Sequence, residues 1–598
     1  MIRQIKDLLQ VLTAEQRIKL IWLQLLVVIS AIFELAGVLA IGPFIAIVGN
    51  IDLIEASAIF GELYRYSGVS NAAEFLVVVG FFVLILLCLA AIFSIFTIWK
   101  LSIFAADVGA EFGDRLYQYY MGKSYLYHTS TNSSDLVRKI ATEVSRVTDN
   151  VLQPLVQINA RIVTILFISI FIFVYNPYVS ILGFTILSTA YFILYVAVRN
   201  KLSTNGKLIS EYSRKRFSLM NEGFGAIKEI EVLGRKKNFV DKFKASGRVF
   251  AHAYGTSNGL YNTPRYLMEF VVYSSMVGLI LLLLKTYKGD LSAVLPVMGV
   301  FGIAAFKMLP SFQQIYSGAA QIRNNVAAFE AVRFDLADAI SASEYQDSHP
   351  DQGRVTGDIS LRDVSFKYKN NDVLALKNIT IDIPFRSSVG IVGPSGSGKS
   401  TLLDVLIGAI RLDNGELVVG ERAIDEMQLP HWRNSIGYVS QISLIKDGSI
   451  AENIAFGMEH EDIDQARLVQ AAKLAHLHDW INSLPASYET QVGERGLQIS
   501  GGQRQRIAIA RALYKDADYL FFDEATSALD GITENNIMDA IEEMAGIKTV
   551  VMIAHRLNTV KHCDRIYLIS AGQVKGQGTY ESLVNSNEEF NNMAGFRK

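Results

Sequence analysis

Residues 388–401 read SVGIVGPSGSGKST, an apolar run followed by a glycine-rich loop and the start of a helical pattern. The loop matches GxxxxGK followed by Ser or Thr, and its strand–loop–helix context predicts a phosphate-binding loop. Glycines let backbone N–H groups curl around phosphates, Lys399 can reach the terminal phosphates, and the Ser400 hydroxyl can ligate Mg²⁺. The alternative, a chance glycine-rich turn, is disfavoured by the motifs that follow. The predicted nucleotide-binding residues of this loop are Gly393, Pro394, Ser395, Gly396, Ser397, Gly398, Lys399, Ser400 and Thr401.

Further polar residues follow predicted strands later in the chain. The run YLFFDEATSALD (519–530) is a strand pattern that ends in Asp523 and Glu524. A carboxylate at a strand end can hold Mg²⁺, and Glu524 is placed to polarise an attacking water as general base. Gln441, in YVSQISL, is predicted to contact Mg²⁺ or that water. His555, after the apolar run VVMIA, is predicted to position the water or the γ-phosphate, although a lone histidine is more often structural. The predicted metal ligands are Ser400, Gln441 and Asp523.

The segment ISGGQ (499–503) opens the helical pattern RQRIAIARALY and forms a second candidate anion site. Small residues at a helix N-terminus leave its N–H groups accessible to an anion. A single nucleotide does not need two such sites. The predicted nucleotide contacts in this segment are Ser500, Gly501, Gly502 and Gln503.

This set of motifs resembles the ATPase domain of ABC transporters, over residues 357–585. The phosphate loop, the ISGGQ signature, the acidic strand end, the SALD segment, Gln441 and His555 all have counterparts in that family. Tyr368, in VSFKYKN, matches its adenine-stacking aromatic residue, whose flat face is a sequence-tolerant partner. Ile499 departs from the family, which more often has leucine there. The resemblance implies an α/β P-loop domain that binds ATP and Mg²⁺ and hydrolyses ATP.

The N-terminal half has a membrane-protein composition. The 598 residues are 51% hydrophobic and 19% charged, against about 25% charged in soluble domains. Residues 75–99 carry no formal charge, and a helix of about 20 apolar residues crosses a bilayer core. Residues 162–198 are also uncharged, and Asn176-Pro177 predicts a turn between two spans there. The six predicted spans lie at about 18–48, 75–99, 162–176, 177–198, 266–287 and 291–309.

Basic residues are distributed unevenly around these spans. Residues 199–265 hold 14 Lys and Arg and residues 100–150 hold six, whereas residues 49–74 hold only Arg65. The positive-inside rule therefore places the N-terminus, both long loops and the C-terminal half in the cytoplasm, where ATP is available. We predict a multi-pass protein of the plasma membrane, which in a bacterium is the inner membrane. The net charge of −2 gives no indication of nucleic-acid binding.

The predicted organisation is a six-span membrane domain (1–340), a polar linker (341–356) and an ATPase domain (357–598). The fold class is thus an α-helical membrane domain followed by an α/β P-loop ATPase domain. This order on one chain resembles that of ABC exporters, as does the segment TQVGERG at 490–496.

The exporter resemblance implies a head-to-tail dimer of half-transporters. Each ATP would lie between one phosphate loop and Ser500 and Gly502 of the other chain. Each motif occurs once and is intact, which favours a homodimer with two competent sites, and a heterodimer with another chain remains open. The family also places short coupling helices in the cytoplasmic loops, here near 125–136 and 222–233.

The cargo is indicated by weaker signals. The first span, IFELAGVLAIGPFIAIV, the segment QISLIKDGSIAENIAFG and an amphipathic pattern at 56–64 in the outer loop resemble PglK-type flippases of lipid-linked oligosaccharides. Such a substrate has a polyprenyl tail, a pyrophosphate and a glycan, and its anionic pyrophosphate favours cationic groups along the path. The candidates for the path are Arg161, Lys307, Arg265 and Glu34. The alternative is that these charges lie at cytoplasmic helix ends, with Glu34 and Glu269 as ion-pair partners.

Three functions remain open from the residues. The first is active flipping of a lipid-linked oligosaccharide by alternating access, and the second is export of another lipid, a drug or a peptide. The third is a membrane protein that ATP gates without pumping, which the intact Glu524 disfavours. The helix at 56–64 either caps the ends of the spans or touches a lipid substrate.

Overall fold

The structure, a computed structural model, describes most of the chain. The described residues are 2–49, 54, 58–68, 71–175, 177–286, 291–341, 353–368, 371–493, 496, 498–524, 534, 538–539, 541, 544, 546–554 and 556–595. They form two compact units. The first unit comprises Met1–Lys123 and Ser130–Tyr345, and the second comprises Ser124–Thr129 and Gln346–Lys598. Most of the predicted linker, residues 342–352, lies outside the described residues, so its boundaries stay a prediction.

The first unit is helical. Its long helices reach about 50 residues, or roughly 75 Å, and so continue well beyond the thickness of a bilayer core. The helices of residues 1–341 are α1 Ile2–Val11, α2 Ala14–Gly49, α3 Ala58–Ser67, α4 Ala72–Met121, α5 Tyr125–Ser130, α6 Ser133–Arg138, α7 Val144–Val147, α8 Gln153–Tyr175, α9 Pro177–Gly225, α10 Ile227–Val232, α11 Lys236–Asn262, α12 Pro264–Thr286 and α13 Leu291–Ser341. Two π-helical turns, Lys139–Glu143 and Thr148–Leu152, join α6, α7 and α8.

Five stretches of the described chain are long and apolar enough to cross a membrane. They are Ala14–Ile45, Ala72–Met121, Ser133–Val174, Ser180–Gly225 and Lys236–Leu282. α8 ends at Tyr175 and α9 begins at Pro177, and Asn176 between them lies outside the described residues, so the predicted turn there stays a prediction. The sixth predicted span falls at the start of α13, and the turn before it, at 287–290, lies outside the described residues. The count of six therefore stays a prediction.

The outer-loop helix predicted from the pattern at 56–64 is present as α3. Phe60 and Tyr64 pack with Ile54 and Phe75 in a small apolar cluster. The rings of Tyr64 and Phe75 meet edge to face with centroids 5.1 Å apart. On this face α3 therefore packs against the start of α4, as a helix that caps the ends of the spans would. Tyr66 is 89% exposed on another face.

A buried ionic triad lies among α6, α7 and the π turn between them. Glu143 is fully buried and accepts hydrogen bonds from the guanidinium groups of Arg138 and Arg146, the latter at 3.0 Å. Arg146 also donates to Asn325 at 3.0 Å and to Ser210 at 2.7 Å. A buried carboxylate is tolerated when it is paired and hydrogen-bonded in this way.

The second unit is an α/β fold with two sheets. A four-stranded antiparallel sheet has the order β2-β1-β4-β5, and a six-stranded, mostly parallel sheet has the order β10-β9-β3-β8-β7-β6. The strands are β1 Ile359–Phe366, β2 Leu376–Ile383, β3 Ser388–Val392, β4 Asn414–Val419, β5 Arg422–Ala423, β6 Ile436–Val439, β7 Tyr519–Asp523, β8 Thr549–Ile553, β9 Arg565–Ser570 and β10 Gln573–Gly578. The helices are α14 Lys399–Leu406, α15 Leu429–Asn434, α16 Ile450–Ile454, α17 Gln465–Leu474, α18 His478–Asn482, α19 Gly501–Tyr514, α20 Tyr580–Ser586 and α21 Glu588–Met593.

The central strand β3 is buried along its whole length and pairs in parallel with β8 and β9. Its apolar sequence follows from this, since a parallel strand is covered on both faces. β7 pairs in parallel with β6 and β8. Parallel strands end at one edge of the sheet, so the segments that follow β3, β6, β7 and β8 share that edge.

Short helices are present in both long loops where coupling helices were expected. α10 spans Ile227–Val232 in the first unit. Most of α5 belongs to the second unit, and Leu126 packs against the second unit's apolar core.

Candidate functional site

The phosphate loop connects β3 to α14 and is shaped by two glycines. Gly393 has φ +154°, and a Cβ there would lie 2.0 Å from the carbonyl oxygen of Ile569. Gly398 has φ +104°, and a Cβ there would lie 2.7 Å from the carbonyl oxygen of Ala375. Any larger residue would collide with backbone at either position. The glycines thus allow the loop to curl tightly just before the helix N-terminus.

Lys399 lies at the centre of this loop and is only 5% exposed. Its ammonium donates hydrogen bonds to the carbonyl oxygens of Gly393 and Pro394, both at 2.9 Å. Burial lowers the pKa of Lys399, whereas the negative charges of Glu524 and Asp523 raise it. An ammonium has three donors, so one remains for a phosphate oxygen.

Two further side chains support a nucleotide site, Ser397 within the loop and Tyr368 beside the helix that follows it. Ser397 is 5% exposed, and its hydroxyl has no hydrogen-bond partner within the described part of the chain. A buried hydroxyl of this kind suits an oxygen-rich ligand. Tyr368 is half-buried, and its hydroxyl lies 3.1 Å from Oγ1 of Thr401 in the first turn of α14. The aromatic residue predicted to stack on adenine therefore lies beside the phosphate-loop helix.

The acidic residues after β7 face the segment after β6. Nε2 of Gln441 donates to Oε2 of Glu524 at 2.6 Å. This contact brings together the predicted base and the predicted water or metal contact, which are 83 residues apart in sequence. Asp523 is the last residue of β7. The hydroxyl of Ser400, the amide oxygen of Gln441 and the carboxylate of Asp523 are hard oxygen donors of the type that Mg²⁺ prefers.

One acidic residue near the site was missed by sequence reasoning. Asp404 lies in α14, and burial, with a smaller contribution from Asp523, raises the pKa of its carboxyl to about 6. The available signal was an acid in the helix TLLDVL, which is otherwise apolar over this stretch. Helical periodicity alone does not show that this acid shares an environment with a strand-end carboxylate.

The signature segment starts α19 with a complete capping box. The hydroxyl of Ser500 accepts from the N–H of Gln503 at 3.2 Å, and Oε1 of Gln503 accepts from the N–H of Ser500 at 2.7 Å. Gly501 and Gly502 form the first turn, and Ser500 is exposed. This leaves a capped, accessible helix N-terminus with small side chains, as an anion site needs.

Several predicted residues cannot be placed. His555, the SALD segment at 527–530 and Glu494-Arg495 of the exporter-like loop lie outside the described residues. Their proposed roles therefore stay predictions.

The charges predicted for the substrate path occupy separate places in the first unit. Glu34 is 8% exposed and lies 3.7 Å from the guanidinium of Arg161. Arg265, which is 58% exposed, pairs instead with Glu269 at 2.9 Å, four residues along α12. Lys307 is exposed on α13. The structure thus shows the two ion pairs expected for Glu34 and Glu269, and it does not gather the four path residues at one place.

The pair of Glu34 and Arg161 lines a polar cavity of about 80 Å³ between α2, α4, α8 and α13. Ser94 donates to Glu34 at 2.6 Å, and Nε of Arg161 donates to Gln314 at 2.5 Å. The remaining polar residues of the lining are Ser30, Thr97, Gln157 and Thr164. Polar groups grouped in membrane-spanning segments are costly and are usually functional or paired. Here the two charged groups are paired with each other and also border a cavity.

Comparisons with known proteins agree with this geometry. Residues 39–293 match the family model of the ABC transporter transmembrane region, and residues 376–527 match that of the ABC transporter. An ATP-dependent lipid A-core flippase of Saccharophagus degradans is 30% identical over 472 residues, 78% of this chain and 78% of that protein. A protein of the same name from Photobacterium profundum is 38% identical over 285 residues, so the match spans 48% of each chain. The structure of a bacterial Atm1-family ABC exporter with ATP bound is 21% identical, with a TM-score of 0.79 over 98% of this chain and 99% of that one.

Proposed function

We propose that this chain, which belongs to the ABC transporter family, moves a glycolipid with an anionic head group across the membrane. Within that family it is an exporter-type half-transporter. Its ATPase domain hydrolyses ATP, and the hydrolysis is coupled to transport. The observation that carries the cargo proposal is the pair of Glu34 and Arg161 in the polar cavity of the first unit. Relatives named lipid A-core flippases support a lipid as cargo. A lipid-linked oligosaccharide and a lipid A-core glycolipid share this chemistry.

The proposed roles in ATP hydrolysis follow from the site. The phosphate loop cradles the phosphates through its N–H groups, and Lys399 donates its remaining hydrogen to a phosphate oxygen. Ser400, Gln441 and Asp523 would hold Mg²⁺, which neutralises charge on the phosphates. Glu524 takes a proton from the attacking water, and the amide of Gln441 fixes the carboxylate at 2.6 Å. His555 completes the proposed set by positioning that water.

The proposed assembly is a homodimer with two composite ATP sites. Its support is a pair of exposed apolar surfaces within one chain. At α10, Val232 is 78% exposed and is followed by the exposed Leu233. In the ATPase unit, Ile442 is 84% exposed, and Leu444 and Phe456 are also exposed. Exposed apolar groups of this kind mark interaction sites, and two copies could cover each other's surfaces.

The proposed location is the bacterial inner membrane, with the ATPase unit in the cytoplasm. The support is the excess of Lys and Arg in residues 100–150 and 199–265 over residues 49–74. Relatives that match over 78% of this chain are bacterial proteins of Saccharophagus degradans and Cupriavidus pinatubonensis.

The test is transport by the purified protein in proteoliposomes. We would compare a polyprenyl-pyrophosphate oligosaccharide, a lipid A-core glycolipid and a plain phospholipid, with Glu524→Gln as the inactive blank. ATP-dependent movement of either glycolipid, and not of the phospholipid, is expected. Movement of phospholipid at an equal rate, or no stimulation by either glycolipid, would contradict the proposed cargo.

The role of the cavity is tested by a matched pair of variants. Arg161→Ala should reduce glycolipid transport about tenfold or more, because it leaves Glu34 unpaired in the cavity. Arg265→Ala removes an exposed arginine that also has a glutamate partner, and it should keep most of the transport. Equal losses in the two variants would show that the cavity is not the path.

A further inference from the structure

The signature helix α19 carries a buried glutamine, Gln505, that lies outside the motif residues with a proposed role. Gln505 is 3% exposed and lies two residues beyond the capping residue Gln503. Its Nε2 donates a long hydrogen bond, 3.4 Å, to the backbone carbonyl oxygen of Glu524. Its Oε1 is buried and has no hydrogen-bond partner among the described residues. A buried amide placed in this way has a cost that packing alone does not explain.

The residue that Gln505 contacts has an unusual backbone conformation. Glu524 has φ +50°, in the left-handed region that non-glycine residues rarely adopt. Its N–H donates to the carbonyl oxygen of Ile553 in β8 at 3.1 Å. The two peptide groups that flank the Glu524 Cα thus form hydrogen bonds to different partners. The N–H bonds to β8, and the carbonyl oxygen accepts from Gln505. Strained conformations at functional sites persist when their surroundings fix them at several points.

The same helix also contacts the segment that follows Gln441, the partner of Glu524. Arg511 of α19 donates through Nη2 to the carbonyl oxygen of Leu444 at 2.9 Å and through Nε to that of Asn453 at 2.8 Å. Leu444 lies three residues after Gln441, whose amide donates to Glu524. One helix therefore contacts the backbone of Glu524 at one end and the segment that carries Gln441 at the other.

We propose that Gln505 is a positioning residue that ties the orientation of Glu524 to the position of the signature helix. The inference rests on the proposed role of Glu524 as general base and adds a residue outside the recognised motifs. The N-terminus of α19 is the end predicted to meet the nucleotide of a second chain. A shift of α19 on nucleotide contact would pass through Gln505 to Glu524 within the same chain. Each chain's hydrolysis would then respond to occupancy of the other chain's site.

The experiment is steady-state ATP hydrolysis by the purified full-length protein carrying Gln505→Met. Methionine preserves the length and volume of the side chain and removes the N–H donor. We expect kcat to fall about tenfold or more, while KM for ATP and the affinity for a fluorescent ATP analogue stay within about twofold. A loss confined to kcat is the result that a positioning role gives and that a general packing defect does not.

The matched control is Tyr514→Phe at the other end of the same helix. The hydroxyl of Tyr514 accepts a hydrogen bond from the N–H of Asp464 at 3.0 Å, so this variant also removes one buried contact of α19. It should keep the wild-type kcat. A wild-type kcat in Gln505→Met, or the same loss in Tyr514→Phe, would overturn the proposal.

Two further measurements keep the result interpretable. Rates are expressed per nucleotide-binding site, titrated with the fluorescent analogue, so that a poorly folded fraction of Gln505→Met does not count as lost catalysis. Glu524→Gln is assayed in parallel. Turnover in Glu524→Gln would refute the assignment of Glu524 as general base. If Glu524→Gln is inactive and Gln505→Met is fully active, only the positioning role of Gln505 is refuted.

Discussion

At the scale of single residues, the proposed mechanism of ATP hydrolysis depends most on Glu524, the proposed general base. It accepts a hydrogen bond from Gln441 at 2.6 Å and follows a strand-end aspartate. Glu524→Gln should lower turnover by about two orders of magnitude or more, because an amide cannot take a proton from water. ATP affinity should be retained, since the phosphate loop is unchanged. Turnover within tenfold of wild type, measured as phosphate release, would refute the assignment of the general base.

Lys399 carries a second prediction at this scale. Lys399→Ala removes an ammonium that lies within the loop and has a donor available for phosphate. A charged hydrogen bond is worth about 1.5–3 kcal/mol, so ATP affinity should fall about 10–100-fold. The measurement is the dissociation constant of a fluorescent ATP analogue at equilibrium. Lys575→Ala, an exposed lysine of β10 that contacts Gln573, is the control and should bind like wild type. Unchanged affinity in Lys399→Ala would count against the loop as the phosphate site.

Asp404 carries a prediction about pH. Burial and Asp523 raise the pKa of its carboxyl from 3.8 to about 6, so the folded unit favours the protonated form. Its contribution to stability is therefore fully present below about pH 4 and is lost as the pH rises through 6. Asp404→Asn should raise the free energy of unfolding at pH 7.5 by about 1 kcal/mol, a value kept small because water screens the partly exposed group. The gain should vanish near pH 4, as followed by thermal unfolding. A gain of equal size at both pH values would contradict this origin.

At the scale of structural elements, the buried triad of Glu143 with Arg138 and Arg146 gives a stability prediction. Glu143→Gln keeps the shape of the side chain, removes the carboxylate that pairs with Arg146, and leaves Arg138 paired with Asp135 alone. Breaking a buried ion pair from one side costs about 3–5 kcal/mol, so the apparent melting temperature in detergent should fall by several degrees. The exposed pair of Glu231 and Lys236 is the control, and Glu231→Gln should leave the melting temperature nearly unchanged. Equal melting temperatures for the two variants would show that the triad is not stabilising.

Sequence reasoning succeeded where the information is local. The phosphate loop and its helix are contiguous, so β3, the loop and α14 follow from one motif. The start of α9 at Pro177 agrees with the proline that lies between two apolar runs. The triad could not be found in this way, because Arg138 and Glu143 are five residues apart and face each other only through a π turn. Asp404 and Gln505 were missed for a similar reason, since their significance arises from strands and loops distant in sequence.

At the scale of the whole molecule, the proposed composite sites predict complementation between two inactive variants. In a head-to-tail dimer, Lys399→Ala disables the loop side of a site and Ser500→Arg disables its signature side. A mixed dimer would place both defects in one site and leave the other intact. With random mixing, half of the dimers are mixed and each of these has one intact site, so coexpression should restore up to roughly a quarter of wild-type hydrolysis, reduced by any coupling through Gln505 to the defective site. Each variant alone should be inactive. A mixture no more active than its components would mean that the two motifs do not meet across two chains.

The second unit contains six residues, Ser124–Thr129, that lie more than two hundred residues before its main segment in the sequence. The chain therefore enters this unit, leaves it and returns, and no single cut separates the two units. A fragment beginning at residue 346 would lack the side chain of Leu126 that the apolar core of the unit packs against. Such a fragment should be more prone to association than its composition suggests, and adding a peptide of residues 124–129 should reduce this tendency. The same constraint applies to the exchange of ATPase units between related transporters. A new ATPase unit would require the loop that corresponds to Ser124–Thr129 to be exchanged with it.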